Sequence, residues 1–281
     1  MMTCTDILRQ GTALLEQAVG DCDPRREGRM LLAHVLNTDE MSLRLAPQRE
    51  VSSQEAEAFA ALCARRADGE PLQYLLGSWE FYGLSFGVGP GVLIPRPETE
   101  LLVDLALQKL AGKEAPSVAD LCSGSGCVAI SVAKNLPNAR VTAVELSEKA
   151  LPYLRRNIAQ NGVTIDLVEG DVLQPDLLAG HCFDLILSNP PYISDDEMSQ
   201  LQPEVCREPH MALWGGSDGL AFYAALPGIC YPLLKADGWL AFEIGCTQQQ
   251  AVEKLMAAAG YRNFLCQKDL SGLPRVVMGQ K

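Results

Sequence analysis

The 281-residue sequence is poor in histidine, with three, and has no Cys-x-x-Cys pair among its ten cysteines. Without paired Cys and His ligands a zinc finger or ribbon is excluded, and ten cysteines in this length fall short of a disulfide scaffold. They read as small buried thiols of a reducing compartment. No apolar run reaches the roughly 18 residues that span a bilayer. The start, Met-Met-Thr-Cys-Thr-Asp-Ile-Leu, has no basic region followed by an apolar stretch. Neither membrane span nor signal peptide is expected, and the protein is expected in the cytoplasm. Basic charge is also short: 23 Lys and Arg stand against 35 Asp and Glu, a formal net charge of -12. A protein that grips nucleic-acid phosphates carries the opposite sign, at least locally. Direct nucleic-acid binding is therefore not expected, and a partner with a basic surface fits better. At 48% apolar and 21% charged residues, the composition is that of an ordinary globular chain.

Three regions follow from periodicity and punctuation. Residues 1–76 read as a small helical domain. Ile7, Leu8, Leu14, Leu15, Ala18 and Val19 recur at helical spacing, and Asp23-Pro24 is an N-cap with proline at the first helical position. A short element carries Met41, Leu43 and Leu45, and Ser52-Ser53-Gln54-Glu55 is a capping box ahead of Phe59, Leu62 and Cys63. A bundle of this size attached to a larger domain suits recognition or docking. Residues 77–93 read as a β-hairpin linker, with Trp79, Phe81, Leu84, Phe86 and Val88 broken by glycines. Residues 94–281 alternate strands and helices. The strand runs are Ser117–Leu121, Arg140–Glu145, Ile165–Glu169, Phe183–Ser188, Trp239–Ile244 and Arg275–Met278. Helical stretches include Gly126–Asn135 and Lys149–Asn161. That alternation predicts an α/β domain on a mostly parallel sheet. Residues 193–215 form the one long irregular stretch, as expected of a lid or binding loop.

Asp120-Leu121-Cys122-Ser123-Gly124-Ser125-Gly126 follows the first of these strands and opens a helix. In an open α/β sheet, ligands bind beyond the carboxyl ends of the strands, where this loop lies. Gly124-x-Gly126-x-x-Ala129 also fits a dinucleotide fingerprint, with Glu145 at a suitable distance to hold ribose hydroxyls. Asp120 separates the two ligands. Its carboxylate repels a pyrophosphate but suits an ammonium and a sulfonium, as in S-adenosylmethionine. Glu145 would accept from both ribose hydroxyls, and Asp171, next to Val172, from an adenine amino group. Three carboxylates at three successive strand ends make a coherent adenosyl pocket.

The fourth strand ends in Asn189-Pro190-Pro191-Tyr192. Pro190 restricts Asn189 to extended conformations, and two prolines stiffen the loop and remove two N–H donors. The Asn189 side-chain oxygen and the Pro190 carbonyl remain as acceptors on a rigid frame, suited to a planar NH2 group with two hydrogens to give. Tyr192 can lie against that plane. An amide or exocyclic amine is a poor nucleophile because its lone pair is delocalised, and gripping both hydrogens aims the nitrogen at a methyl donor. Such catalysis is positioning plus electrostatics and demands no histidine base.

Several segments together resemble the glutamine N5-methyltransferases that modify peptide-chain release factors, the HemK/PrmC family. They are Pro71-Leu72-Gln73-Tyr74, Glu80-Phe81-Tyr82-Gly83, Leu93-Ile94-Pro95-Arg96-Pro97-Glu98-Thr99-Glu100, Asn189-Pro190-Pro191-Tyr192-Ile193, Glu208-Pro209, Gly216-x-Asp218-Gly219-Leu220, Glu243-Ile244-Gly245 and Lys268-Asp269-Leu270-x-Gly272. The Asn-Pro-Pro-Tyr motif alone is shared with adenine-N6 DNA methyltransferases; the segment from Leu93 and the N-terminal helices point to the glutamine family. The resemblance implies a Rossmann-like methyltransferase fold with a helical N-terminal domain that helps dock the release factor. It implies S-adenosylmethionine contacts at Cys122, Ser123, Gly124, Ser125, Gly126, Glu145, Asp171, Val172 and Asn189. It implies contacts to the substrate glutamine, that of a Gly-Gly-Gln tip, at Asn189, Pro190, Pro191 and Tyr192. A sister group acts on a glutamine of a large-subunit ribosomal protein. One departure is Cys122, where the family usually has glycine.

Overall fold

The computed structural model describes residues 2–18 and 22–281, so Val19 lies outside the described residues. The chain divides into two compact units, Met1–Ser78 with Leu201–Arg207, and Trp79–Gln200 with Glu208–Lys281. Among the described residues no helix is long and apolar enough to cross a membrane.

The first unit packs α1 (Cys4–Leu15), α2 (Pro24–Val35), α3 (Glu40–Leu45), α4 (Ser53–Ala67) and α5 (Leu72–Leu76) around a core that includes Ile7, Leu15, Leu31, Leu32, Phe59 and Cys63. β1 (Met2–Thr3) and β2 (Glu50–Val51) pair antiparallel. Helix starts follow the capping chemistry of the sequence: Asp23 accepts from the Arg26 N–H, and Ser52 and Glu55 close a capping box. Arg66 is buried, 1% exposed. Its Nε donates to Glu27 at 2.6 Å, and a terminal nitrogen lies 2.9 Å from Glu204. Glu204 comes from Leu201–Arg207, far along the chain. Part of the stretch expected to be a lid is thus built into the helical unit, with Arg207 also bonded to Asp68.

The second unit opens with the hairpin β3 (Ser78–Phe81) and β4 (Leu84–Gly87), then α6 (Glu100–Leu110). The alternating region supplies β5 (Ser117–Leu121), α7 (Cys127–Asn135), β6 (Arg140–Glu145), α8 (Leu151–Asn161), β7 (Asp166–Glu169) and β8 (Phe183–Ser188). After the short α9 (Asp195–Met198) and α10 (His210–Leu213) come α11 (Ala221–Cys230), β9 (Leu234–Glu243), α12 (Gln249–Ala258), β10 (Arg262–Lys268) and β11 (Pro274–Gln280). The last seven strands form one sheet in the order β10-β11-β9-β8-β5-β6-β7. All neighbouring pairs from β9 to β7 are parallel, and β11 runs antiparallel to both its neighbours.

Successive strand residues serve opposite faces. Leu185 and Leu187 of β8 join a core with α6, α7 and α8, whereas Ile186 joins the core with α11 and α12. Chain order leaves β5 for β6 and β7 on one side, then returns to β8 and β9 on the other. The crevice between the carboxyl ends of β5 and β8 is therefore the switch point where a doubly wound sheet binds its ligand.

Candidate active site

A cleft of about 960 Å³, including its open mouth, lies at that switch point. Asp120, Cys122, Ser123, Gly124, Ser125, Glu145, Asp171, Val172, Asn189 and Pro191 line it, together with the Gly91–Arg96 segment and Thr99. Gly126, Pro190 and Tyr192 do not line it.

The β5–α7 loop owes its shape to backbone conformation. Cys122, Gly124 and Gly126 all have positive φ, at +61°, +55° and +82°. Gly126 begins α7 with no room for a side chain, because a Cβ there would come within 2.3 Å of Leu154. Asp120 is 2% exposed, and its Oδ2 accepts the Ala129 N–H of the first turn of α7 at 3.1 Å. It satisfies a donor that the helix itself leaves free, a structural duty that the sequence does not reveal. Burial pushes its pKa up to about 7, and the neighbouring Glu145 adds to the rise.

Glu145 is 7% exposed and spans two loops: Gly124 N–H donates to Oε2 and Ser147 N–H to Oε1, each at 2.7 Å. A carboxylate oxygen accepts more than one hydrogen bond, so both oxygens keep capacity for hydroxyl donors. Asp171 closes a turn of its own, with Oδ1 accepting from Leu173 N–H at 2.9 Å, and Val172 forms an apolar wall beside it.

Asn189 follows β8, whose Ser188 hydroxyl donates to the Leu121 carbonyl at 2.8 Å and locks the two central strand ends together. Asn189 Nδ2 donates to Thr99 Oγ1 at 3.3 Å, and the Thr99 hydroxyl donates to Glu243 Oε2 at 2.6 Å. The Tyr192 hydroxyl stands 3.5 Å from Glu243 Oε1, with its ring packed on the core of the α11 and α12 face. The Pro191-Tyr192 backbone is buttressed closely: a Cβ on Gly215 would meet the Pro191 carbonyl at 2.6 Å. Gln248 clamps the same loop, donating from Nε2 to the Tyr192 carbonyl at 2.9 Å. Glu208 holds the Gly91–Arg96 wall by accepting from Ile94 N–H at 2.9 Å and pairing with Arg96.

Thr99 and Glu243 stand within the segments that carry the family resemblance, but sequence reasoning gave neither of them a role. Glu243 lies near the end of the apolar run Trp239–Ile244, the same signal that picked out Asp120 and Glu145. Thr99 carries no such signal, because its role depends on which strand end it packs against.

The sequence matches the PrmC N-terminal domain family over residues 6–77 and the methyltransferase small domain family over residues 98–213. It is 41% identical to a release factor glutamine methyltransferase of Geobacter sulfurreducens, over 91% of this chain and 89% of that one. It is 37% identical to a protein of the same name from Corynebacterium glutamicum, over the full length of both. In fold it is similar to a crystal structure of a methyltransferase from Pyrococcus furiosus, with a TM-score of 0.54 at 20% identity, covering 72% of this chain and 90% of that one.

Proposed function

The chain belongs to the release factor glutamine methyltransferase family, and from that premise we propose that it transfers a methyl group from S-adenosylmethionine to the side-chain amide nitrogen of the glutamine in the Gly-Gly-Gln motif of peptide-chain release factors. The observation that carries the reading is the shared cleft. It joins Asn189, held through its NH2 so that Oδ1 is the open acceptor, to a pocket of buried carboxylates.

The cleft fits the cofactor on charge. Asp120 is driven toward its neutral form by burial and by the neighbouring Glu145, and a positively charged ligand would favour its carboxylate. Asp120 would face the cationic amino-acid end, Glu145 the ribose hydroxyls and Asp171 the adenine, with Cys122, Ser123, Gly124, Ser125 and Val172 as the surrounding wall and Gly126 shaping the loop behind it. When bound, S-adenosylmethionine would supply an electrophilic methyl and leave as the neutral thioether S-adenosylhomocysteine, with one N–H proton of the methylated glutamine passing to water. Asn189 Oδ1 and the Pro190 carbonyl accept the two hydrogens of the glutamine NH2, which orients the nitrogen and stabilises the positive charge it gains as the new bond forms. Pro191 and Tyr192 keep that frame stiff. The helical unit is the docking element for the release factor.

Mass spectrometry of a release factor incubated with the protein and S-adenosylmethionine tests the assignment. One added methyl on the Gly-Gly-Gln peptide is expected, with Asn189→Ala losing most turnover while cofactor affinity persists. Methyl transfer to DNA or to a ribosomal protein in preference to the release factor would overturn it.

A further inference from the structure

The chain of hydrogen bonds behind Asn189 has a direction. A threonine hydroxyl has one proton to give. Thr99, 3% exposed, gives it to Glu243 Oε2 at 2.6 Å, so toward Asn189 its oxygen can only accept. That forces the Asn189 amide to turn its NH2 to Thr99 and leaves Oδ1 for the cleft. Were Glu243 to donate instead, Thr99 would be free to donate to Oδ1, and the Asn189 NH2 would face the substrate NH2, donor against donor.

Three groups favour Glu243 as an acceptor. Thr99 approaches from the turn before α6, and the Tyr192 hydroxyl from the loop after β8. Arg275 of β11, itself held by Asp269 at 2.9 Å, adds positive charge that favours the carboxylate. Against these stand burial and the negative charge of Glu98, which together take Glu243 up to about 7. Tyr223 donates to the Glu243 backbone carbonyl at 2.7 Å and so fixes the strand end that carries the side chain.

We propose that Thr99 and Glu243 are positioning residues for methyl transfer, setting the Asn189 amide so that its Oδ1 faces the substrate glutamine. The inference rests on the methyl-acceptor role given to Asn189 above.

Thr99→Val removes the hydroxyl at nearly constant volume. Its kcat on a release factor should fall about 100-fold, the scale of a misplaced catalytic group. KM for the release factor and the calorimetric Kd for S-adenosylmethionine should stay at their wild-type values. Thr99→Ser, which keeps the hydroxyl, should restore kcat. In an Asn189→Ala background Thr99→Val should cost nothing further, since the group it positions is gone. Should Thr99→Val prove too unstable to assay, Thr99→Cys weakens both hydrogen bonds at similar size and carries the same expectation. Wild-type kcat in Thr99→Val, no rescue by serine, or an additional loss in the Asn189→Ala background would each overturn the positioning role while leaving the proposed activity intact. A wild-type protein that fails to methylate the release factor overturns both.

Discussion

Cys122 holds a left-handed backbone, φ +61°, at the turn between β5 and the ligand loop. That conformation costs a residue with a Cβ roughly 1–2 kcal/mol relative to glycine. The thiol offsets part of this by packing on the α11 and α12 core. Burial raises its pKa, so it stays protonated and takes no part as a nucleophile. Substitution here should separate backbone strain from packing. Cys122→Gly should melt close to the wild type, whereas Cys122→Val, β-branched and a poor fit to positive φ, should lose about 2 kcal/mol. Thermal unfolding of the three proteins reads the order directly, and a valine variant as stable as wild type would remove strain from the account. Gly126 differs in kind, because its Cβ would strike Leu154 at 2.3 Å and Ile130 at 3.0 Å. Gly126→Ala should cost about 2–3 kcal/mol through clash and strain together, read as a lower denaturation midpoint.

At the scale of elements, the legible parts are those whose physics is local. β5, β6 and β8 coincide with the apolar runs marked in the sequence, because each is buried on both faces. β9 begins at Leu234 rather than Trp239. Its first half holds Asp237 at φ +59°, and its pairing with β8 shifts register between Phe183 and Leu185, so turn-like residues sit inside a strand. β10 carries no strand signal in the sequence: Arg262–Lys268 is an edge strand with only Phe264 and Cys266 half-buried, too polar to show a core face. The segment Leu201–Arg207 and the Thr99–Glu243 pair were illegible for another reason, since only tertiary contact gives them meaning. Asn157 of α8 is a third case. Fully buried, it accepts from Gly87 N–H at 2.7 Å and donates to the Gly87 and Ser125 carbonyls at 3.1 and 2.8 Å, tying the hairpin to the ligand loop. Asn157→Ala strands three buried backbone groups. It should cost about 3 kcal/mol in urea unfolding with an unchanged m-value, since the loss is of contacts rather than of compactness.

For the whole molecule, the charge of -12 has two consequences. The first is an association term: an acidic surface favours a basic protein partner, and screening weakens that attraction. KM for the release factor should therefore rise several-fold between low and high salt while cofactor Kd changes little; a salt-independent KM would leave the acidic surface without a role in docking.

The second consequence concerns the buried minority of those acids. Burial takes Asp120 and Glu243 each up to about 7, well above their unfolded values, so the folded ligand-free protein binds more protons than the unfolded chain between about pH 4 and 7. Stability from these two groups is fully present below pH 4 and is lost as pH rises through 7. Asp184 works in the opposite sense. Its bonds to Lys113, Lys235 and the Ser117 N–H overcome partial burial and hold it at about 2, so its contribution is lost only in strong acid. With about 1.4 kcal/mol per pKa unit, the two raised acids amount to a few kcal/mol between pH 5 and 8. The ligand-free protein should therefore melt at a higher temperature at pH 5 than at pH 8. Asp120→Asn keeps an acceptor for the Ala129 N–H and removes the proton, so it should flatten about half of that slope. Saturating S-adenosylmethionine, bringing positive charge to Asp120, should flatten the same share in the wild type and nothing further in Asp120→Asn. A slope that the cofactor leaves untouched in the wild type would place its positive charge elsewhere than beside Asp120.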